Sequence, residues 1–364
     1  MNSTVPYRGK TGIVGGAALT VALVLSGCAA QGGASESTSD EAQDSASANL
    51  LPEGEGQTEY PVTLETPWGS SELTERPLRI AAITPSQDDL EILGALDVAP
   101  VIATDRPLNA WMEGRLPTEI ETTYTAGQDG FPAEEIALAE PDLIIALGVD
   151  LSDQYDQLSS IAPVLATEAQ TGAGQRVAND WEANTRAVGE ALDLQQAADE
   201  ALAEEESSFE TFRTEHPEFE DLTVSYVVDY GDEVGIQYHS SEGSPAATTL
   251  ERMGFAASNP NAEDLGYREV VSREMTSAID ADVVIYSGQI GEDPAEIMAD
   301  PLFQKLDAAQ DGHVVLIENR DSSFVIDGEE HEGNLPWGLA RSGPLSSPWA
   351  ADTIAPAISS VLAD

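Results

Sequence analysis

The sequence predicts an α/β protein of two Rossmann-like lobes, each built on a parallel sheet, joined by a single long helix. Three observations lead there. Short apolar runs alternate with amphipathic segments, first between Arg79 and Leu147 and again between Leu222 and Leu362, as strand–helix–strand units do. Between the two series lies Val177 to Arg213, a stretch of helical composition. The 364 residues also exceed what one compact core usually holds.

The elements follow in chain order. Pro61–Glu65 and Ser71–Leu73, around the turn Pro67-Trp68-Gly69, read as a hairpin. Arg79–Ile83 is a short apolar run and a candidate buried strand. Ser86 is placed to cap the next helix, with Asp88 and Asp89 in its first turn and Leu90, Leu93 and Leu96 on one face. Val98–Ala103 is a second strand, Pro132 opens a short helix, and Asp142–Leu147 is a third strand. In the second half, strands are expected at Leu222–Asp229, Asp282–Tyr286 and His313–Ile317. Helices are expected at Pro245–Phe255, stopped by Gly254, at Ser272–Ile279, at Pro294–Ala309 and at Trp349–Leu362 around Pro356. The bridge breaks near Gly189–Leu194. Its second piece, Gln195–Arg213, would span about 28 Å and carries an apolar stripe of Ala198, Leu202, Phe209 and Phe212. One helix between two lobes is a stiff strut.

Ahead of the folded body the grammar changes. Arg8 and Lys10 precede an apolar, small-residue run from Thr11 to Val24, too short for a membrane helix and typical of an export signal. Leu25-Ser26-Gly27-Cys28 resembles a lipobox, in which the cysteine is acylated and becomes the new N-terminus. Cys28 is also the sole cysteine, which excludes an internal disulfide and a cysteine metal cluster. Ala29 to about Glu59 is Ser, Ala, Gly, Gln, Asp and Glu, a composition that reads as a disordered tether reaching roughly 30 Å. The expected organisation is therefore 1–27 signal peptide, 28–59 lipidated Cys28 and tether, 60–176 first lobe, 177–214 bridging helices and 215–364 second lobe. The mature protein is expected outside the cytoplasm, held on the outer face of the cell membrane, and monomeric.

Composition narrows the function. Fifteen Lys plus Arg stand against 66 Asp plus Glu, a formal net charge of −51, which repels phosphate backbones and excludes nucleic acid as a partner. There is no Gly-x-Ser-x-Gly elbow and no phosphate-binding P-loop, and Gly172-Ala173-Gly174 and Gly288-Gln289-Ile290-Gly291 complete no dinucleotide fingerprint. The four histidines, His216, His239, His313 and His331, have no short metal-ligand spacing. No enzyme, cofactor or directly bound metal is expected. A surface-anchored hydrolase is kept as the rival from another class, because so many carboxylates always place some pair together.

Several segments then carry a resemblance. Arg79–Ser86 followed by Leu93-Gly94-Ala95-Leu96, and Gly127–Ile136 running into Ala139–Ile145, are similar to the opening of the iron-siderophore, haem and cobalamin binding proteins that serve ABC importers. Val271–Glu274 with Ala281–Val284, Pro301–Leu306 with His313–Val315, and Gly343–Pro348 resemble later segments of that family, the last of its siderophore branch. The resemblance spans Thr63 to the C-terminus. It implies a helical-backbone solute-binding protein without catalytic activity. The ligand it implies is an Fe(III)–siderophore complex held in the inter-lobe cleft, with haem or cobalamin as alternatives. The partners implied are two permease subunits and their cytoplasmic ATPase. Arginine suits an oxygen-rich, often anionic chelate and aromatic rings suit its organic backbone. At the strand ends, where open α/β sheets bind ligands, Arg106, Arg320 and Arg341 are the candidate cations, and Trp111, Tyr230, Tyr238, His239 and Trp337 the candidate rings. Asp105 and Asp321 stand beside two of those arginines as rival partners, and Trp337 reads equally as core. By the same resemblance, Glu134 and Glu274, one in each lobe, take the positions that dock on the permease.

Overall fold

The computed structural model describes residues 50–125, 130–168, 171–172, 175–176 and 180–363. Cys28, the signal segment, the tether to residue 49, Gly127–Asp129 and Ala173–Gly174 lie outside the described residues.

Strands β1 (Val62–Thr66) and β2 (Gly69–Leu73) form the expected hairpin. The first lobe is a five-stranded parallel sheet, ordered β5–β4–β3–β6–β7, from β3 (Ile80–Ala82), β4 (Ile102–Thr104), β5 (Thr122–Tyr124), β6 (Leu143–Leu147) and β7 (Val164–Thr167). Its inner strand β6, beside the central β3, reads Leu-Ile-Ile-Ala-Leu and is buried at every position, because helices cover both faces of a parallel sheet. Three helices connect it: α1 (Asp88–Ala95), α2 (Ala133–Leu138) and α3 (Tyr155–Ser159). Ser86 does not cap α1. Gln87 takes that position in a left-handed conformation, and the Ser86 hydroxyl donates to Asp88 instead. After the sheet comes a small hairpin, β8 (Thr171–Gly172) and β9 (Gln175–Arg176).

The bridge is α4 (Trp181–Leu192) and α5 (Gln195–Glu215), broken by Asp193 in the left-handed region. The 21 residues of α5 extend about 30 Å. Its buried stripe is Ala198, Ala201, Glu205, Phe209 and Phe212. The alanines join the first-lobe core and the phenylalanines the second, so this one helix is shared by both lobes. Leu202, expected in the stripe, is only half-buried, and Glu205 holds the middle position instead.

The second lobe is a seven-stranded mixed sheet, β12–β11–β10–β13–β14–β15–β16. Its parallel centre is β10 (Val224–Asp229), β13 (Val283–Gly288) and β14 (Val314–Asn319). Antiparallel strands β11 (Ile236–Tyr238) and β12 (Glu269–Val270) flank one side, β15 (Ser323–Ile326) and β16 (Glu329–Glu332) the other. Helices α6 (Pro245–Arg252), α7 (Asp307–Asp311), α8 (Leu335–Leu339) and α9 (Ser346–Ala363) pack around it. The single helix expected over Pro294–Ala309 is instead two 3₁₀ segments, Pro294–Ala299 and Phe303–Lys305, followed by α7. Asp300 accepts from the Leu302 amide there, a turn that Pro301 enforces. Ser272–Ile279 is likewise 3₁₀ over Arg273–Ile279, with no side-chain cap from Ser272.

The tether expectation needs one correction. Residues 50–59 are docked on the first lobe. Leu51 is buried, and the Asp193 carboxylate accepts the amides of Gly56, Gln57 and Thr58 at 2.7–2.9 Å. Glu55 accepts from the Gln196 and Ala197 amides at the start of α5. Composition hid this strap because backbone amides, rather than apolar side chains, hold it.

Candidate functional site

In the first lobe the sheet reverses direction of growth between β3 and β6, the place where open sheets leave a crevice beyond their carboxyl ends. Thr84, two residues past β3, accepts the Leu147 amide at 2.8 Å and locks the two strand ends together. Asp89 accepts the Thr84 and Leu90 amides at 2.7 and 2.8 Å while wholly buried, and burial pushes its carboxyl up to about 7. Gln87 donates to Pro107 O at 2.9 Å and accepts the Asn109 amide at 3.1 Å, pinning the loop that carries Arg106. Arg106 is exposed there and has no carboxylate within ion-pairing distance among the described residues. Its neighbour Asp105 takes the Thr125 hydroxyl at 2.5 Å instead.

The other arginines are engaged. Arg320 donates to Glu318 at 2.9 Å and to Glu330 at 2.8 Å, partners other than the adjacent Asp321. Arg341 reaches across to Asp88 of the first lobe at 3.3 Å and lies 3.9 Å from the centre of the Trp337 ring. It is therefore a bridge between lobes. Trp337 itself packs against the first-lobe core, as do Leu345 and Trp349.

Two expected rings face inward. Trp111 is 5 % exposed in the first-lobe core, its ring 5.4 Å from Trp349, and Tyr238 is 1 % exposed within the second-lobe core. Period-two alternation puts Tyr238 on that side of β11, and its neighbour on the other. That neighbour, His239, anchors a ring cluster. Its Nε2 lies 3.4 Å from the Tyr230 hydroxyl, its ring stacks on Tyr230 and meets Tyr267 edge-on. Burial, helped by the Arg268 charge, pulls His239 down to about 4, so the imidazole is neutral at ordinary pH. Arg268 sits over the Tyr230 ring at 5.7 Å and was missed by the sequence reading. It follows Tyr267 in a left-handed turn ahead of β12, away from the strand-to-helix loops where open α/β sheets bind ligands.

The accessible candidates are thus Arg106 on the first lobe and Tyr230 with Arg268 on the second, while buried Arg341 and half-buried Trp337 hold the junction. Cation, phenol and neutral imidazole can together accept a bulky oxygen-rich anion by charge-assisted hydrogen bonds and ring contact. Among the described residues no group of three or more His, Cys, Asp or Glu is placed to hold a metal ion. Glu134, in the first turn of α2, and Glu274, in the 3₁₀ turn after Ser272, are both exposed. No described helix is long and apolar enough to cross a membrane.

Comparison with known proteins places this geometry. The periplasmic binding protein family matches residues 80–320. The Fe(3+)-citrate-binding protein YfmC of Bacillus subtilis (strain 168) is 24 % identical over 309 residues, 85 % of this chain and 89 % of that one. A periplasmic solute binding protein from Mycobacterium smegmatis shares the fold with a TM-score of 0.64 at 23 % identity, covering 83 % of this chain and 99 % of that one. Streptococcus pneumoniae PiaA, in complex with ferrichrome, does so at 0.62 and 22 %, over 82 % and 98 %. Staphylococcus aureus SirA, complexed with staphyloferrin B, follows at 0.58 and 21 %, over 82 % and 98 %.

Proposed function

We propose, from the premise that this chain belongs to the periplasmic binding protein family, that it captures a ferric siderophore between its lobes and delivers it to an ABC importer. The family match over residues 80–320 is the observation that carries the reading. It makes the chain an extracytoplasmic solute-binding protein rather than an enzyme. The iron-bearing ligand rests on the relative named for Fe(3+)-citrate and on the cleft chemistry above. Arg106, Tyr230 and Arg268 are the groups that would meet the chelate, and the Arg341–Trp337 pair supports the cleft floor. The lobes are 60–176 and 215–364, with 177–214 between them. Residues 29–49 remain as a tether from lipidated Cys28 to the outer face of the membrane. Glu134 and Glu274 would face the two permease subunits, whose cytoplasmic ATPase drives uptake.

Titration decides the ligand. The purified protein, mixed with ferric hydroxamate, ferric citrate, haem and cobalamin, is expected to show saturable tryptophan quenching with a ferric chelate at micromolar affinity or better. Saturation by haem or cobalamin alone would overturn the siderophore reading. Replacing Cys28 by Ser is expected to release the protein from the membrane fraction, and unchanged retention would remove the lipid anchor.

A further inference from the structure

Behind the lobes, away from the strand ends, lies a second recess. Its first part is a cavity of about 550 Å³ enclosed by the strut α5, the closing helix α9 and the first-lobe turn at residues 110–115. The strut contributes Ala201, Glu204, Glu205 and Ser208, one face of a helix by their spacing. A second cavity of about 410 Å³ continues it along the strut and shares Glu204, Ser208 and Asp352 with the first. Together they make an elongated groove. From Glu204 to Glu215 it follows twelve residues of helix, about 16 Å from first to last.

The walls have one sign. Glu113, Glu204, Glu205, Glu215 and Asp352 line the groove, against Arg115 as the one basic residue. Carboxylates on a surface are ordinarily just solvated, and in a chain of net charge −51 a cluster alone would mean little. Glu205 is different. It is 2 % exposed, its Oε2 is taken by Arg252, and its Oε1 is shielded from solvent with no hydrogen-bond partner. Burial pushes the Glu205 carboxyl up to about 7 against the Arg252 charge, and an incoming cationic donor at Oε1 would favour its ionised form. Beside it stand the indole rings of Trp111 and Trp349, whose faces attract cations.

We propose that this groove binds a linear organic polycation of the polyamine class, separately from the cleft ligand. One ammonium satisfies Glu205 Oε1 near the indoles. The others lie along the groove among Glu204, Asp352 and Glu215. A compact divalent cation lacks both the length and the apolar segments to use this shape.

The test must separate a site from the diffuse attraction of an acidic protein. Spermidine is titrated calorimetrically into the whole protein at about 0.15 M salt, where surface charges beyond roughly 8 Å are screened. One saturable equivalent is expected. The double variant Glu204→Gln/Asp352→Asn, at two exposed positions, should weaken it about four- to twentyfold, since each exposed ion pair contributes up to about 1 kcal/mol. Glu210→Gln, also on α5 but outside the groove, should not change it. Magnesium at equal charge should not displace spermidine, and a ferric siderophore should not compete. Non-saturable heat, or equal weakening by Glu210→Gln, would overturn the proposal. So would displacement by magnesium.

Discussion

Arg106 and Arg320 look alike in sequence, each in a loop after a strand and each beside an aspartate, yet their surroundings differ. Arg106 is exposed without an ion pair among the described residues, whereas Glu318 and Glu330 hold Arg320. A charge-assisted hydrogen bond contributes about 1.5–3 kcal/mol, so Arg106→Ala should weaken ferric chelate binding roughly 10- to 150-fold. Arg320→Ala should change affinity less than about threefold, because Glu318 and Glu330 already hold its guanidinium in solvent-exposed pairs. Equal losses in both, read by tryptophan quenching, would contradict the assignment. Residue type was legible in the sequence here, and partnership was not. The carboxylate that decides the role of Arg320 arrives from a strand ten residues away, and Arg268 reaches Tyr230 across a sheet edge. Titration has the same origin. Asp89 is raised to about 7 by burial, so its contribution to stability is present below the unfolded carboxyl pKa and is lost as pH rises towards 7. His239 runs oppositely: lowered to about 4, it costs stability as pH falls from about 6.5. Asp89→Asn should therefore flatten the decline in urea midpoint between pH 5 and pH 7.5. A slope as steep as that of the parent would show the buried carboxyl to be irrelevant.

Elements held by apolar runs were readable, and elements held by polar contacts were not. The inner strands β6 and β13 are buried throughout, and Leu143–Leu147 and Val283–Tyr286 stand out as apolar runs. Strands β11, β12, β15 and β16 are short and partly polar, and their pairing depends on neighbours distant in sequence. The helix α9 shows the second case best. Its N-terminal amides at Leu345 and Ser346 are accepted by Glu91 of α1 at 2.9 and 2.6 Å, a carboxylate from the other lobe. A Cβ on Gly343 would come 2.3 Å from that carboxylate, which is why the approach needs glycine. Burial raises the Glu91 pKa, and the two amides oppose that shift. Glu91→Ala leaves the buried Ser346 amide and the partly buried Leu345 amide unsatisfied, and at about 1–3 kcal/mol each the loss should reach about 2–6 kcal/mol by urea unfolding. Glu91→Gln, which retains an acceptor, should lose clearly less. Equal losses would make the effect one of volume rather than of capping.

For the whole molecule, the contacts between lobes govern how it works. Arg341 pairs with Asp88, Glu91 caps α9, Trp337 and Trp349 pack on the first-lobe core, and α5 runs through both. Such a junction permits modest closure and little twisting, so the outer faces of the two lobes keep a nearly fixed spacing. The proposed docking role of Glu134 and Glu274, one exposed residue in each lobe, depends on that spacing. Glu134 begins α2 in the first lobe and Glu274 begins the 3₁₀ turn in the second, and neither has a described ion-pair partner. A carboxylate in a first helical turn has a local reason to be there, complementing the helix dipole for about 0.3–1 kcal/mol. That reason is weak for Glu274, whose element is a 3₁₀ segment, and it gives no account of one such residue per lobe. Rim charges set encounter rate and register, and two on a rigid body fix orientation where one leaves rotation free. Glu134→Ala/Glu274→Ala together should leave ferric chelate affinity within about twofold and the unfolding midpoint nearly unchanged, since both side chains are exposed. Uptake by cells carrying the variant should fall sharply, and each single change should fall short of the double. Intact uptake in the double variant would remove both residues from docking. Parallel loss of affinity and uptake would place them in the cleft or the fold instead.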